Sequence, residues 1–264
     1  MVSASALMEQ ELLSSKDSVL HNIDSRVKLI VLILTILFAV TTTNYTILLI
    51  VEIYLLLLVV IAKIPLKQAI IKVLVILPFG VFIALFQPFI QPGDVLYSLP
   101  FGINVTLQGL QFAQLLLSRL VISITAIVLF SFITPMKSIA EAFRRLHMPN
   151  EFAMIFSLFV RFIFLFYDEF ESIRQAQSSR CFSLSNKTPY TWKLKQVGYL
   201  FLMMFIRSYE QGESVYNSMA SRGYSASSTI YYSNEKLSLN SIIYLVFPII
   251  LFAILTILNY LHMI

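Results

Sequence analysis

The sequence predicts an all-α polytopic membrane protein with about five transmembrane helices. A cytoplasmic domain of three helices, one short and two long, is inserted before the last span. Three observations support this. Of the 264 residues, 58% are hydrophobic and only 12% are charged, against about 25% charged in a soluble domain. Long apolar runs recur along the chain, and Lys and Arg are concentrated in alternate connections between them.

Five apolar runs provide the predicted spans, at residues 29–40, 45–62, 73–90, 110–133 and 239–262. The last run is about 36 Å long at 1.5 Å per residue, which is enough to cross a bilayer. Polar turn residues at 41–44 and 91–94 end the first and third runs. The first two runs are short for spans, so their limits are predicted only to within several residues.

The distribution of basic residues predicts the orientation of the chain. They precede the first run, fill the connection between the second and third, and fill the long connection before the last. These residues are Lys16, Arg26 and Lys28, then Lys63, Lys67 and Lys72, then all those from Lys137 to Lys236. Because cytoplasmic loops are rich in Lys and Arg, we expect a membrane protein with a cytoplasmic N-terminus and an external C-terminus. The net charge of +5 then reflects topology, and no nucleic-acid partner is expected. Residues 1–26 lack the pattern of a cleaved signal peptide.

The long connection before the last run predicts three helices, over about 136–147, 150–179 and 191–220. The first is amphipathic, and each long helix is apolar in its first half and polar near its end. We expect each long helix to leave the membrane boundary and project its C-terminal end into water. A reentrant or spanning pair is the alternative. The predicted domains are 1–134 (lead-in and four membrane helices), 135–236 (cytoplasmic domain) and 237–264 (last membrane helix).

The two long helices share a repeated segment at their ends. Glu171 and Glu213 are 42 residues apart, as are Arg180 and Arg222 (213 − 171 = 222 − 180 = 42). Such a repeat indicates one structural unit used twice, with chance as the alternative. The repeated tips are Ser179, Arg180 and Cys181 in the first copy and Ser221, Arg222 and Gly223 in the second.

Two interpretations of the paired arginines remain open. An Arg in the last turn of a helix is stabilising by itself, by about 0.3–1 kcal/mol, because it faces unpaired carbonyls. Arg also presents a planar fork that can grip a carboxylate with two hydrogen bonds. Two such forks would suit two equivalent grooves on a pseudo-twofold partner, such as a pair of ABC-type ATPases. Gly223 fits a left-handed helix terminus, and Cys181 fits it less well.

Motifs spread along the chain carry a family resemblance. Residues 21–29 are similar to a Leu-Asp-Pro-Arg-x-Lys-Leu motif, with Ser25 where Pro is usual. Thr134-Pro135 with 139–149, and Arg161-Phe162 with Glu169 and 173–177, are similar to two cytoplasmic helices of the same family. Residues 220–224 and 179–181 are similar to its two Ala-Arg-Gly-type motifs, with Cys181 in place of Gly. The chain resembles the transmembrane T component of energy-coupling factor (ECF) transporters, a group that includes cobalt and biotin transporter permeases.

This resemblance implies a non-catalytic energy coupler for vitamin or metal uptake. Its partners would be two ABC-type ATPase subunits, which bind the ATP, and one small membrane substrate-binding (S) subunit; this chain would bind no cofactor and no metal. The resemblance implies that Arg180 and Arg222 insert into the two ATPases, with the four other tip residues as part of the coupling site. The transported solute, and whether one S subunit or several are served, are not expected to be encoded in this chain.

We expect the S subunit to contact the apolar faces of the two long helices, where aromatic and Met side chains make an adaptable surface. The expected contact residues are Phe152, Phe156, Phe159, Ile163, Met204 and Phe205. Contact of this surface with the chain's own spans is the alternative, and part of the surface must serve that purpose.

Two charged residues fall inside apolar runs, Glu52 in the second and Arg119 in the fourth. Charges within a membrane are costly and usually pair or face a polar cavity. The hypothesis is that Glu52 and Arg119 face each other or a polar seam. Snorkelling of each side chain to an interface is the alternative.

A membrane-embedded enzyme and a self-contained permease are the competing functions. With 7 Gly in the chain there is no Gly-rich phosphate loop, so we expect no ATP hydrolysis. The acidic group Asp168, Glu169 and Glu171 is better explained as a solvated face, and the three His residues are too scattered for a metal site. Few polar groups within the spans, and no inverted repeat of them, argue against a permease.

Overall fold

The computed structural model describes residues 20–99, 103–146, 149–180, 189–225 and 238–261. In this part of the chain it contains eight helices and one two-stranded hairpin. In chain order they are α1 (Ser25–Thr41), α2 (Tyr45–Ile61), α3 (Leu66–Ile90), β1 (Val95–Leu99), β2 (Ile103–Thr106), α4 (Leu107–Ile133), α5 (Met136–Arg145), α6 (Asn150–Ser179), α7 (Tyr190–Ser221) and α8 (Leu239–Tyr260). The predicted all-α membrane class is confirmed.

Within the described residues, α3, α4 and α8 are long and apolar enough to cross a membrane. Helix α2 is strongly apolar but has only 17 residues, which is about 25 Å at 1.5 Å per residue and shorter than a hydrocarbon core of about 30 Å. The count of about five spans therefore stays a prediction.

The chain divides into two compact units. We call Met1–Ala142 with Glu235–Ile264 the membrane unit, and Phe143–Asn234 the second unit. The chain passes between them twice, once along α5 and once before α8. The predicted boundary at 236/237 lies two residues after the limit at 234/235, whereas the predicted boundary at 134/135 lies eight residues before the limit at 142/143, so most of α5 clusters with the membrane unit.

Helix α4 is the centre of the membrane unit and packs against α1, α2 and α3, while α8 packs on α1. Ile47, Leu48 and Val51 on α2 and Ile122 on α4 are almost fully buried. Their spacing of three to four residues on α2 places them on one helical face. The rings of Phe38 and Phe252 stack at 4.3 Å between centroids, so the contact of α1 with α8 is also aromatic.

Helices α1 and α3 begin several residues before the apolar runs of the sequence, because their first turns contain polar residues. Helix α1 begins at Ser25, where the Asp24 side chain accepts a hydrogen bond from the Arg26 N–H at 3.1 Å. Helix α3 begins at Leu66, directly after Pro65, whereas the run was predicted from residue 73. Its first turns carry Lys67 and Lys72, which hydropathy alone assigns to a loop.

The loop predicted between the third and fourth runs contains the hairpin β1–β2. Its strands are antiparallel, pairing Tyr97 with Val105 and Leu99 with Ile103, with an irregularity between Val95 and Tyr97. Both strands contain β-branched or aromatic residues, and Pro100 and Gly102 between them are turn signals. The signal was present in the sequence, but the strands are short and were read as a loop.

Helices of the second unit follow the prediction closely. Helix α6 has the expected bounds, and α7 starts one residue before and ends one residue after the predicted 191–220. Helix α5 ends at Arg145, and His147 lies outside the described residues. The Phe143 ring meets the Phe156 ring edge to face at 5.5 Å, so the end of α5 packs on α6.

Candidate functional site

Helices α6 and α7 end in the same way, each on an arginine. Arg180 and Arg222 are the residues directly after the last helical serine, with φ/ψ of −87°/22° and −91°/10°. The Arg180 N–H donates to the Gln177 carbonyl at 3.1 Å, and the Arg222 N–H donates to the Met219 carbonyl at 3.1 Å. Both side chains are exposed. The repeated sequence therefore has the same backbone geometry in both copies up to the arginine.

Beyond Arg222, helix α7 closes in a glycine-dependent terminus. Gly223 has a φ of 81°, a left-handed conformation that glycine adopts without a Cβ clash. The Tyr224 N–H donates to the Met219 carbonyl and the Gly223 N–H to the Ala220 carbonyl, both at 3.0 Å, which is the Schellman pattern. The left-handed terminus predicted at Gly223 is confirmed, while Cys181 in the other copy lies outside the described residues.

The serines of the two tips bond within their own helices. The Ser179 hydroxyl donates to the Gln175 carbonyl, and the Ser221 hydroxyl donates to the Ser218 carbonyl, both at 3.0 Å. Each hydroxyl thus returns to a carbonyl three or four residues earlier in its own helix. The serines therefore help to finish each helix, and the arginine is the side chain that extends from it.

Two interhelical contacts hold α6 against α7. The Glu169 carboxylate forms an ion pair with the Arg207 guanidinium, and the Gln177 side-chain amide donates to the Gln196 carbonyl at 3.2 Å. An open cavity of about 490 Å³ lies between the two helices. It is lined in part by Ile173, Arg180, Trp192, Tyr199, Met203 and Arg207. Arg180 thus lies where the two long helices meet.

The acidic residues of α6 are largely engaged in local contacts. Glu169 pairs with Arg207, and the hydrogen bond of the Glu171 carboxylate with the Tyr167 hydroxyl raises the pKa of Tyr167. Asp168 is exposed. Among the residues that the structure describes, no three His, Cys, Asp or Glu side chains form a group that could hold a metal ion.

The expected S-subunit contact residues differ in exposure. Phe152, Phe159 and Phe205 are exposed, the last by 70%. Phe156, Ile163 and Met204 are half-buried, and the Phe156 ring is already packed against Phe143. Ile155 and Phe201, which the expected set omits, are also exposed. Sequence spacing places residues on a helical face but does not say which of them a neighbouring ring covers.

The direct Glu52–Arg119 pair is not formed, which corrects that half of the hypothesis. The Arg119 guanidinium donates to the Thr42 carbonyl at 2.8 Å, at the end of α1. The Glu52 carboxylate accepts from the Thr125 hydroxyl at 3.2 Å. Each side chain thus contacts a polar group of a neighbouring segment, and both contacts involve α4, while the second oxygen of the Glu52 carboxylate is buried without a hydrogen-bond partner among the described residues. The other half of the hypothesis, that the two side chains face a polar seam, stays a prediction.

Comparison with known proteins places the chain in a family. The profile of CbiQ, the cobalt transport protein family, matches residues 16–232. The chain belongs to this family. The matched region includes α1 to α7, with both terminal arginines of the long helices. The chain is thus a membrane transport protein, as its apolar helices indicate.

Relatives of the cobalt transport family extend this result. The chain is 30% identical over 242 residues to the uncharacterized protein MJ1571 of Methanocaldococcus jannaschii, covering 89% of this chain and 81% of that protein. It is 28% identical over 222 residues to the energy-coupling factor transporter transmembrane protein EcfT of Limosilactobacillus fermentum, covering 79% of this chain and 80% of that protein. A second EcfT, from Ruminiclostridium cellulolyticum, is 26% identical over 219 residues. The resemblance to the T component of ECF transporters is confirmed.

Proposed function

We propose that this chain is the energy-coupling scaffold of an ECF-type ABC importer. It transmits the ATP-driven motion of two cytoplasmic ABC-type ATPase subunits to a small membrane S subunit that takes up a vitamin or a metal ion. The observation that carries the proposal is the pair of long helices that end with the same backbone geometry on an exposed arginine, 42 residues apart (222 − 180).

The chemistry of the two tips fits docking into protein grooves. A guanidinium can bind a carboxylate through two parallel hydrogen bonds, which fixes orientation as well as contributing energy. Because each serine bonds its own helix, the arginine is the group left to reach a partner. Two equivalent tips suit two related ATPase subunits, so one ATP-driven movement can act on both helices together.

The apolar faces of α6 and α7 supply the second half of the proposal. Phe152 and Phe159 on α6 and Phe205 on α7 are exposed, and exposed apolar patches mark contacts with other proteins or with lipid. In this proposal the S subunit binds there. ATP is bound by the ATPase subunits, and the chain itself binds no cofactor and catalyses no reaction.

Membrane orientation completes the proposal. The connections rich in Lys and Arg lie on the cytoplasmic side, which puts Arg180 and Arg222 in the compartment of the ATPases. The N-terminus is cytoplasmic and the C-terminus external, in a prokaryotic cell membrane.

Co-purification tests the proposed function. The tagged chain is expressed with ABC-type ATPase subunits and small membrane S proteins from the same genome, then purified in mild detergent. We expect two ATPase subunits and one S protein to elute with the chain. Elution of the folded chain alone would contradict the proposal and favour the competing functions, a membrane enzyme or a self-contained permease.

A further inference from the structure

A buried lysine caps the end of the central helix α4. Lys28 on α1 is only 2% exposed. Its ammonium group donates to the Ile133 carbonyl at 2.9 Å and to the His21 carbonyl at 2.9 Å. The Ile133 carbonyl belongs to the last turn of α4, where the helix carries partial negative charge that favours a cation. Lys28 therefore acts as a helix cap supplied by another segment of the chain.

Other basic side chains reach the same turn of α4. The His21 Nε2 lies 3.3 Å from the Phe132 carbonyl and can donate a hydrogen bond to it in the tautomer that carries the proton on Nε2. The Lys72 ammonium on α3 lies 4.2 Å from the centre of the Phe132 ring, within cation–π range. Pro135, just beyond the helix, has no N–H to return to the last carbonyls. Side chains from other segments of the chain thus contact the last turn of α4.

The same N-terminal segment also holds the start of α8. The Asp24 backbone N–H donates to the Ser241 hydroxyl at 3.2 Å, and Ser241 is 1% exposed. Asp24 is fixed in turn by its ion pair with Arg26 at 3.0 Å. Residues 21–28 therefore contact both the last turn of α4 and the first turn of α8.

These two places adjoin the connections by which the chain leaves the membrane unit, along α5, and re-enters it before α8. Helix α4 leads through Thr134 and Pro135 into α5 and the second unit, and α8 begins directly after the return. We infer that residues 21–28 form a brace, with Lys28 as its positioning residue, that holds the two connections at a fixed separation. Resting on the proposed function, the brace carries the displacement of the second unit to the spans instead of letting the connections flex.

The cost of losing Lys28 follows from burial. Without the ammonium group, the His21 and Ile133 carbonyls lose a charge-assisted donor, and a buried acceptor without a partner is costly. The end of α4 and the segment 21–24 are then free to separate, while the apolar core between α1, α2 and α4 is unchanged. We therefore expect a protein that still folds, but in which the two connections move independently of each other.

The test measures the separation of the two connections directly. In a Cys181→Ser background, spin labels are placed at Met136→Cys and Leu239→Cys, which are exposed positions beside the two connections. Distances are measured by pulsed electron resonance on the chain in nanodiscs. Lys28→Met removes the charge at similar length, Lys28→Arg keeps it, and Lys67→Met is the control at an exposed lysine.

We expect the distance distribution of Lys28→Met to be about twofold broader than that of the parent, since a second arrangement of the two connections becomes populated. Lys28→Arg should stay close to the parent and Lys67→Met should match it. Ser241→Ala removes the other contact of the brace and should also broaden the distance distribution. This variant provides the test if Lys28→Met does not fold. Unchanged width in both Lys28→Met and Ser241→Ala would overturn the brace, even if thermal stability falls.

A second arm separates the brace from the proposed function. In the complex with ATPase subunits, trapping with ADP and vanadate should leave the distance between positions 136 and 239 unchanged in the parent, because the brace holds it. In Lys28→Met the distance should shift on trapping, while ATP hydrolysis stays within about twofold of the parent, since the ATPase contacts are untouched. An unchanged distance on trapping in Lys28→Met would refute the coupling role. Failure of the unsubstituted chain to bind ATPases would refute the proposed function. The brace would then be tested by the distance measurements on the chain in nanodiscs alone.

Discussion

The tip of α7 depends on two neighbouring residues. Arg222 supplies the side chain that extends from the helix, and Gly223 supplies the backbone conformation that ends it. The φ of 81° at Gly223 ends the helix immediately after Arg222, and two backbone hydrogen bonds close the turn. A residue with a Cβ in this conformation costs roughly 1–2 kcal/mol. The direction of the arginine therefore depends on the residue that follows it.

The first prediction concerns that glycine. Gly223→Ala should weaken ATPase binding by about fivefold to thirtyfold, corresponding to about 1–2 kcal/mol, because the last turn of α7 no longer closes. The dissociation constant is measured with the purified ATPase by surface binding in detergent. Gly223→Asn is the matched control, since Asn tolerates the left-handed region, and it should bind within about threefold of the parent. Equal, unimpaired binding by both variants would show that the terminus does not position Arg222.

The sequence is informative about residues whose backbone role is local. Gly223 was predicted at a left-handed terminus from its place after a helix-ending arginine, without knowledge of tertiary contacts. The Glu52–Arg119 pair was predicted from charge alone and was wrong, because partner choice depends on which polar group lies nearest in three dimensions. Thr42 and Thr125 supply those groups, and no local pattern identifies them. The role of Lys28 was missed for the same reason, since the carbonyl it caps lies 105 positions away along the chain.

At the scale of elements, helices α3 and α4 are packed too closely for side chains at their crossing. A Cβ built on Gly109 would lie 2.6 Å from the Pro88 Cα, a backbone atom that cannot move aside. At Gly80 a Cβ would also come within 2.6 Å of an atom, but that atom is the Leu120 Cδ1 at the end of a flexible side chain. The two glycines therefore differ in what a substitution must displace.

The second prediction follows from this difference. Gly109→Ala should destabilise the membrane unit by about 1–3 kcal/mol, the usual cost of overpacking, and Gly80→Ala should cost less. Gly198→Ala, where nothing lies within 4 Å, should be neutral or stabilising by up to about 1 kcal/mol because α7 gains helix propensity. Thermal unfolding in detergent gives the order of the three melting temperatures. A Gly109→Ala melting temperature at or above that of Gly80→Ala would contradict the packing argument.

Periodicity and hydropathy predicted the long helices well. The bounds of α6 were predicted as found, and those of α7 to within one residue, because both helices are amphipathic and flanked by Pro149 and Pro189. The starts of α1 and α3 were missed because Asp24, Pro65 and the lysines act as caps and first-turn residues, whereas hydropathy treats them as loop. The hairpin was missed because its strands are short and two strands alone carry a weak signal.

For the whole molecule, the account depends on the second unit facing the cytoplasm. The alternation of basic connections predicts this orientation. Cys181, the only cysteine in the chain, lies within the second unit and serves as a natural reporter.

The third prediction tests this orientation. A membrane-impermeant maleimide should label Cys181 in inverted vesicles but not in intact spheroplasts, because the reagent cannot cross the bilayer. The control is Cys181→Ser with Leu96→Cys, an exposed position in the connection predicted to be external, which should label only from outside. Labelling of Cys181 in intact spheroplasts would reverse the orientation and remove the arginine tips from the compartment that holds ATP.

Composition and charge distribution thus predict a polytopic membrane protein and its orientation. The repeat at the ends of the two long helices predicts where its partners bind. The arrangement that links the two does not follow from sequence pattern, because the brace of residues 21–28 brings together segments more than a hundred positions apart. Such contacts follow from packing of the complete membrane unit and become visible only in the structure.

Charge reversal at the two helix tips tests the central claim most directly. The tagged chain is co-expressed with the ATPase subunits as parent, Arg180→Glu, Arg222→Glu and the double variant. The matched control is Arg174→Glu with Lys195→Glu, which reverses two exposed charges on the same helices away from the tips. We expect each single tip variant to retain less than about a tenth of the ATPase, since losing one side of a desolvated charge pair costs about 2–5 kcal/mol. The double variant should retain none and the control should bind like the parent. Full ATPase recovery with the folded double variant would reduce both arginines to caps of their own helices and contradict the account.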